Sequence, residues 1–191
     1  MAQIHMLGID PGLANIGYAV VTLSRKTCEL VRDRHGRPLM GALHTEQSAK
    51  KREVRASDDR LRRAREIALE LNTRIFEKSD LNIRVISAEA MSFPPSASVA
   101  QQLGICWGIL GTLSALNDLP VVQCSPQELK EKLCGRKNAS KFEIQEAVSS
   151  KFQVFPEAFV KQDVEHAFDA LASIEACLDS EVVRMARSLV E

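Results

Sequence analysis

The stretch Met6-Leu-Gly-Ile-Asp10-Pro-Gly12 runs apolar and then stops on a carboxylate. Leu7 and Ile9 read as part of a buried strand over residues 3–9. Pro11-Gly12 breaks it, and Gly17-Tyr18-Ala19-Val20-Val21 resumes extended character in a second, paired strand over 17–23. An aspartate at the end of a buried strand is costly unless something positive meets it. A metal ion, a cationic substrate or a paired arginine would serve. A plain Asp-Pro-Gly turn is the structural alternative. The remaining chain decides between them by the partners it supplies.

The same arrangement returns further on. Ile83-Arg-Val-Ile-Ser-Ala88 reads as a short buried strand that ends in Glu89. Parallel strands of one α/β sheet bring such ends side by side, where sites form. A third strand is expected between Glu29 and Thr45, with edges blurred by Gly36, Pro38 and Gly41, and another at Pro120–Cys124. Helices are expected over 58–78, with Leu61, Ala64, Ala68, Leu71 and Ile75 inward and Ser57 or Asp58 as cap, and over 98–117. Gly104, Gly108 and Gly111 in the second helix suggest close approach to the sheet or to a second copy of the chain. Ser125-Pro126 opens a third helix to about Cys134 and Ser140 a fourth to about Phe152, joined by the basic turn Gly135-Arg136-Lys137-Asn138.

A last helix over about 163–179 carries Glu165, His166 and Asp169. His166 and Asp169 are three apart and share one face. Small residues around Ala170-Leu-Ala172 would let that face come close to the strand ends. Carboxylates at two strand ends and on this helix make an oxygen-rich set that suits Mg²⁺ or Mn²⁺. Two such ions stabilise the attacking and leaving oxygens of an in-line phosphoryl displacement.

With 25 basic and 25 acidic residues the net charge is zero, so no global charge points to nucleic acid. The distribution is uneven. Lys50, Lys51, Arg52, Arg55, Arg60, Arg62, Arg63 and Arg65 crowd one segment; Lys130, Lys132, Arg136, Lys137 and Lys141 crowd another. Either run can be a solvated helix face or a surface for phosphates. The five cysteines are odd in number and contain no Cys-x-x-Cys, against a disulfide framework or structural zinc. No signal-peptide pattern or run of membrane-spanning length is recognised, so an intracellular protein without a membrane partner is expected: cytoplasmic and nucleoid-associated, or in the host cytoplasm if phage-encoded.

The ordered set Leu7-Gly-Ile-Asp-Pro-Gly12 with Gly17-Tyr18, Ile86-Ser-Ala-Glu89, Leu103-Gly104 with Gly108, Lys130 through Lys141, and Asp169-Ala-Leu-Ala172 resembles the RuvC-type Holliday-junction resolvases of the ribonuclease-H-like superfamily. The resemblance covers roughly residues 4–178. It implies an α/β, ribonuclease-H-like fold, with a central mixed five-stranded sheet flanked by helices on both sides, in one nuclease domain over 1–191. It implies that Asp10, Glu89 and Asp169 are catalytic metal ligands. His166 falls where most of the family has aspartate and some relatives have histidine; Glu165 and Asp163 are alternative donors. Lys130 and Lys141 fall on lysines near the scissile phosphate. Phe93 lies one place later than the family's junction-wedging aromatic. Arg62, Arg63, Arg136 and Lys137 complete the expected DNA-binding set. A homodimer through the helix over 98–117 is implied, with a branch-migration motor as an optional further partner.

The leading reading is therefore a metal-dependent, structure-selective endonuclease for four-way junctions. A junction-binding protein of the same fold without catalysis is the alternative. An ATP-using relative would need a longer chain and a second Gly-rich phosphate loop, and neither is found.

Overall fold

β1 (Ile4–Asp10) has neighbours on both sides and helices over both faces. The computed structural model describes residues 3–49, 53–77, 80–91 and 96–189. β1 pairs antiparallel with β2 (Asn15–Leu23), from Ile4 opposite Leu23 to Asp10 opposite Gly17. On its other side it runs parallel to β5 (Ile83–Glu89), which runs parallel to β6 (Val121–Cys124). β3 (Cys28–Leu30) and β4 (Met40–His44) pair with successive halves of the outer edge of β2. Six strands therefore occupy five positions, as the expected five-stranded sheet requires.

Alternation along the strands divides the core in two. Met6, Val21 and Val85 face a layer made of α3 (Pro126–Cys134), α4 (Lys141–Phe152), α5 (Lys161–Cys177) and α6 (Glu181–Ser188). Leu7, Ile9, Val20 and Ile86 face α1 (Ala56–Leu71) and α2 (Ala97–Asn117). Ser125 and Ser140 cap α3 and α4, each in a reciprocal capping box, with Glu128 and Glu143 respectively. α6, capped by Ser180, lies in a stretch for which no helix is expected from the sequence.

α1 keeps its expected inward side at Leu71 and Ile75, with Ala64 and Ala68 packed against the core, and departs from it at Leu61. Its inward residues are Asp59, Arg63, Ile67 and Leu71, continued by Ile75 in a π-helical turn, Asn72–Glu77. Leu61, expected inside, is 72% exposed. In its first turns polar residues take the inward place, and they are satisfied underneath the helix. Arg63 Nε donates to Thr45 Oγ1 at 2.8 Å, and Asp59 Oδ1 accepts from the backbone N–H of Ser48 and from Arg62. The N-cap is Arg55, without a side-chain cap, so Ser57 and Asp58 lie inside the first turn. There Asp58 and Asp59 complement the helix dipole that the nearby arginines oppose.

α2 is long and apolar enough, by length and composition, to cross a membrane, contrary to the expectation that no run reaches that length. Cys106, Ile109, Leu110 and Leu113 bury one face against the sheet. A Cβ built on Gly104, Gly108 or Gly111 would meet nothing within 4 Å among the described residues. The glycine stripe therefore does not serve approach to the sheet.

α5 sits closest to the strands, and two glycines set its height. A Cβ on Gly8 of β1 would lie 2.3 Å from the carbonyl oxygen of Ala170, and one on Gly17 of β2 would lie 1.9 Å from that of His166. Ala167, Ala170 and Ala172 are fully buried in the same contact. Small residues on both sides thus let the helix backbone rest on the strand backbone, as the Ala-Leu-Ala pattern suggests.

Candidate active site

Asp10 ends β1, and Glu89 stands one residue beyond Ala88, the register partner of Ile9. The two carboxylates therefore leave neighbouring parallel strands at the same end. α5, seated on Gly8 and Gly17, brings His166 and Asp169 over them. His166 Nδ1 lies 2.7 Å from Asp10 Oδ2, with both side chains about a quarter exposed. With its proton on Nδ1 the imidazole donates to the carboxylate. This hydrogen bond, more than the charge of Asp10, raises the His166 pKa above the ordinary imidazole value, against partial burial.

The acids feel one another. Burial, and then the charge of Asp10, push Asp169 up to about 7, with Glu89 adding to the rise and Lys141 opposing it. Burial and Asp10 likewise raise Glu89, while Lys141 and Lys130 pull it back. Asp10, Glu89 and Asp169 thus share one electrostatic site that two lysines only partly neutralise. Among the described residues, no three His, Cys, Asp or Glu side chains already stand as a ready-made ion cage. Asp10 Oδ2 is engaged by His166 instead.

The remaining expected residues divide. Lys141 is exposed and ion-paired with Glu165. Lys130 is half-buried. Arg136 pairs with Glu143, and Lys137 lies 3.5 Å from Glu131. Arg62 is held by Asp59, Glu66 and the carbonyl of Glu46. Arg63 is a correction: it is 3% exposed and bonded under α1, so it presents no charge to a ligand. Phe93 lies outside the described residues.

Asp163 accepts from His44 Nε2 at 2.6 Å, while His44 Nδ1 lies 2.8 Å from Asn15 Oδ1. With Asp163 paired to His44 and Glu165 to Lys141, neither alternative donor is directed at Asp10. His44 and Asn15 carry no local sequence signal; only the pairing of β2 with β4, which sets Asn15 opposite His44, brings them together.

No family model matches the chain. A crossover junction endodeoxyribonuclease RuvC from Synechococcus sp. is 30% identical over 151 residues, spanning 76% of this chain and 81% of that protein. The chain belongs to the RuvC family. A RuvC from Chlamydia trachomatis is 28% identical over 180 residues, covering 93% of this chain and 94% of its own. The structure of Thermus thermophilus RuvC in complex with a Holliday junction substrate superposes with a TM-score of 0.68 at 22% identity, over 96% of this chain and 97% of that one. That likeness gives the fold, which is ribonuclease-H-like.

RuvC nucleases depend on a divalent metal ion in general. The donor set here fits one. Asp10, Glu89 and Asp169 offer hard oxygen ligands, and their mutual repulsion is the kind that a divalent cation relieves. His166 can add nitrogen ligation but no negative charge.

Proposed function

We propose that this chain is an endonuclease that resolves four-way DNA junctions by paired, symmetric phosphodiester hydrolysis. The observation that carries the reading is the meeting of three carboxylates from distant segments, Asp10, Glu89 and Asp169, each shifted or shifting another at one end of the sheet. These residues would hold Mg²⁺ or Mn²⁺, two ions per site, with His166 as a fourth ligand. Bound there, such ions polarise a phosphoryl oxygen and offset charge on the attacking and leaving oxygens.

The protein's own groups do the rest. Lys141 and Lys130, the cations to which Glu89 responds, would neutralise the phosphates on either side of the cut. Lys141 would exchange Glu165 for phosphate. His166, bonded to Asp10 through Nδ1, has only Nε2 left: it either ligates an ion or exchanges a proton with water or the departing 3′ oxygen, not both. Arg136, Lys137 and the exposed edge of Arg62 would add backbone contacts, and Phe93 would wedge at the branch point.

A two-fold junction needs two sites, which favours a homodimer. α2 supports this: among the described residues nothing lies against its glycine stripe, and Leu116 on the same helix is exposed. We read residues 1–191 as one nuclease domain that works in the cytoplasm at the nucleoid, or in a host cytoplasm if phage-encoded, beside a branch-migration motor.

A junction-binding protein without catalysis is the second reading, and the occupation of Asp10 by His166 favours it. Incubating an end-labelled four-way junction with Mg²⁺ or Mn²⁺ separates the two on a sequencing gel. Symmetric paired nicks are expected. Binding without nicks in either ion would select the second reading.

A further inference from the structure

A groove of about 500 Å³ opens beside Asp169, between the N-terminal halves of α4 and α5 and the 3₁₀ turn Pro156–Ala158. Phe159 and Phe168 form its apolar wall, their rings edge to face with centroids 5.9 Å apart. Phe168 is buried, whereas Phe159 remains partly open. Lys141 stands where the groove meets the acids, and Gln145 lies one turn of α4 further along. The size falls within the roughly 300–1,000 Å³ of small-ligand sites, which are apolar with a few placed polar groups.

The lining selects among the parts of a nucleic acid. Lys161 also borders the groove, but with Lys141 it faces three acids, Glu157, Glu165 and Asp169, so on balance a second phosphate would be repelled there. A neutral planar base is not. An aromatic wall offers a base a stacking surface, and a carboxamide can read its edge. Lys141 belongs both to this groove and to the surroundings of Glu89, so a strand whose phosphate lies at the acids has its adjoining base within reach.

We propose that this groove receives one unstacked base of the strand being cut, next to the scissile phosphate, with Phe159 as the stacking platform and Gln145 reading the base edge. The assignment rests on the endonuclease reading and makes the groove a specificity-determining part of that site. Extruding a base costs less where stacking is interrupted, as at the centre of an open four-way junction.

Junctions with a single abasic residue, placed in turn at each position flanking the cut, test this. One position should slow cleavage by about tenfold, the scale of one lost base–aromatic stack. The Phe159→Ala variant should be slow on the intact junction and show no further loss at that position. Gln145→Leu, which leaves the aromatic pair in place, should alter the relative rates for the four bases there. Equal cutting of all abasic junctions, or an unchanged penalty in Phe159→Ala together with an unchanged base preference in Gln145→Leu, overturns the proposal.

A binding readout keeps the two readings apart. With 2-aminopurine at the sensitive position, or scanned along the strand, the Asp10→Asn protein should change its fluorescence on binding, and added Phe159→Ala should remove the change. Normal cleavage by the wild-type chain with no fluorescence response removes the groove and spares the nuclease. A fluorescence response without any cleavage removes the nuclease and spares the groove. Loss of the dimer in Phe159→Ala would assign the groove to a second copy of the chain and overturn the proposal.

Discussion

His166 Nδ1 and Asp10 Oδ2 meet at 2.7 Å across 156 positions of sequence. The bond ties α5 to the first strand, at the atom a cation would also seek. Its two partners differ in what they can give up. Asp10→Asn should cut the cleavage rate by at least about 100-fold, above the effect of losing an outer-shell partner. Junction binding should stay intact or tighten, because a charge that repels phosphate is gone. Gel-shift and single-turnover rates check both.

His166→Asp should keep or raise Mg²⁺-supported cleavage if position 166 is a ligand, since a second carboxylate adds charge to the ion site. Loss of activity would mean that the imidazole performs a proton transfer a carboxylate cannot. Rates in Mg²⁺ and Mn²⁺ across pH separate the two.

Stability without metal should fall as pH rises. Asp169 is raised from its ordinary value to about 7, so the folded state holds a proton that the unfolded state has lost, from about pH 4 to pH 7. Glu89 is raised in the same direction. His166 is also raised, so its contribution fades as pH climbs through its folded value above 6.5. All three act with one sign. Melting in EDTA should show a declining Tm across this range, on the order of 1–3 kcal/mol in all after solvent screening. Asp169→Asn should flatten it, and Mn²⁺ should restore stability most at the alkaline end.

Gly17→Ala should damage folding and activity together. Its added carbon would lie 1.9 Å from the His166 carbonyl oxygen, so α5 must lift. Overpacking of this kind costs about 1–3 kcal/mol. Chemical denaturation gives the stability loss, and a lowered cleavage rate at saturating metal shows that the helix has moved.

Arg63→Ala and Lys141→Ala should behave oppositely. Arg63 is buried against Thr45 and Asp59, so its loss should cost about 3 kcal/mol or more of stability and leave the salt slope of junction binding unchanged. Lys141→Ala should leave stability nearly unchanged, because its pair with Glu165 is exposed. It should reduce the salt slope by about one ion if it touches phosphate.

Much of this architecture is written in local pattern. The β1–Asp10 and β5–Glu89 units are visible because an apolar run ending in an acid needs no tertiary information, and the seat of α5 is foreshadowed by its alanines. Only the first turns of α1 are misread, because periodicity treats Leu61 as an inward residue and cannot foresee that Thr45 satisfies a buried Arg63. The His44–Asp163 pair and the groove at Phe159 are invisible for the same reason: each joins segments that only the folded sheet and its helices bring together.

The contact at Gly17 is made with the main chain of residue 166, not with its imidazole. The docking of α5 is therefore indifferent to which side chain that residue carries. Histidine and aspartate can exchange there without re-seating the helix, so the charge offered to the cations becomes an adjustable quantity on a mounting that stays put.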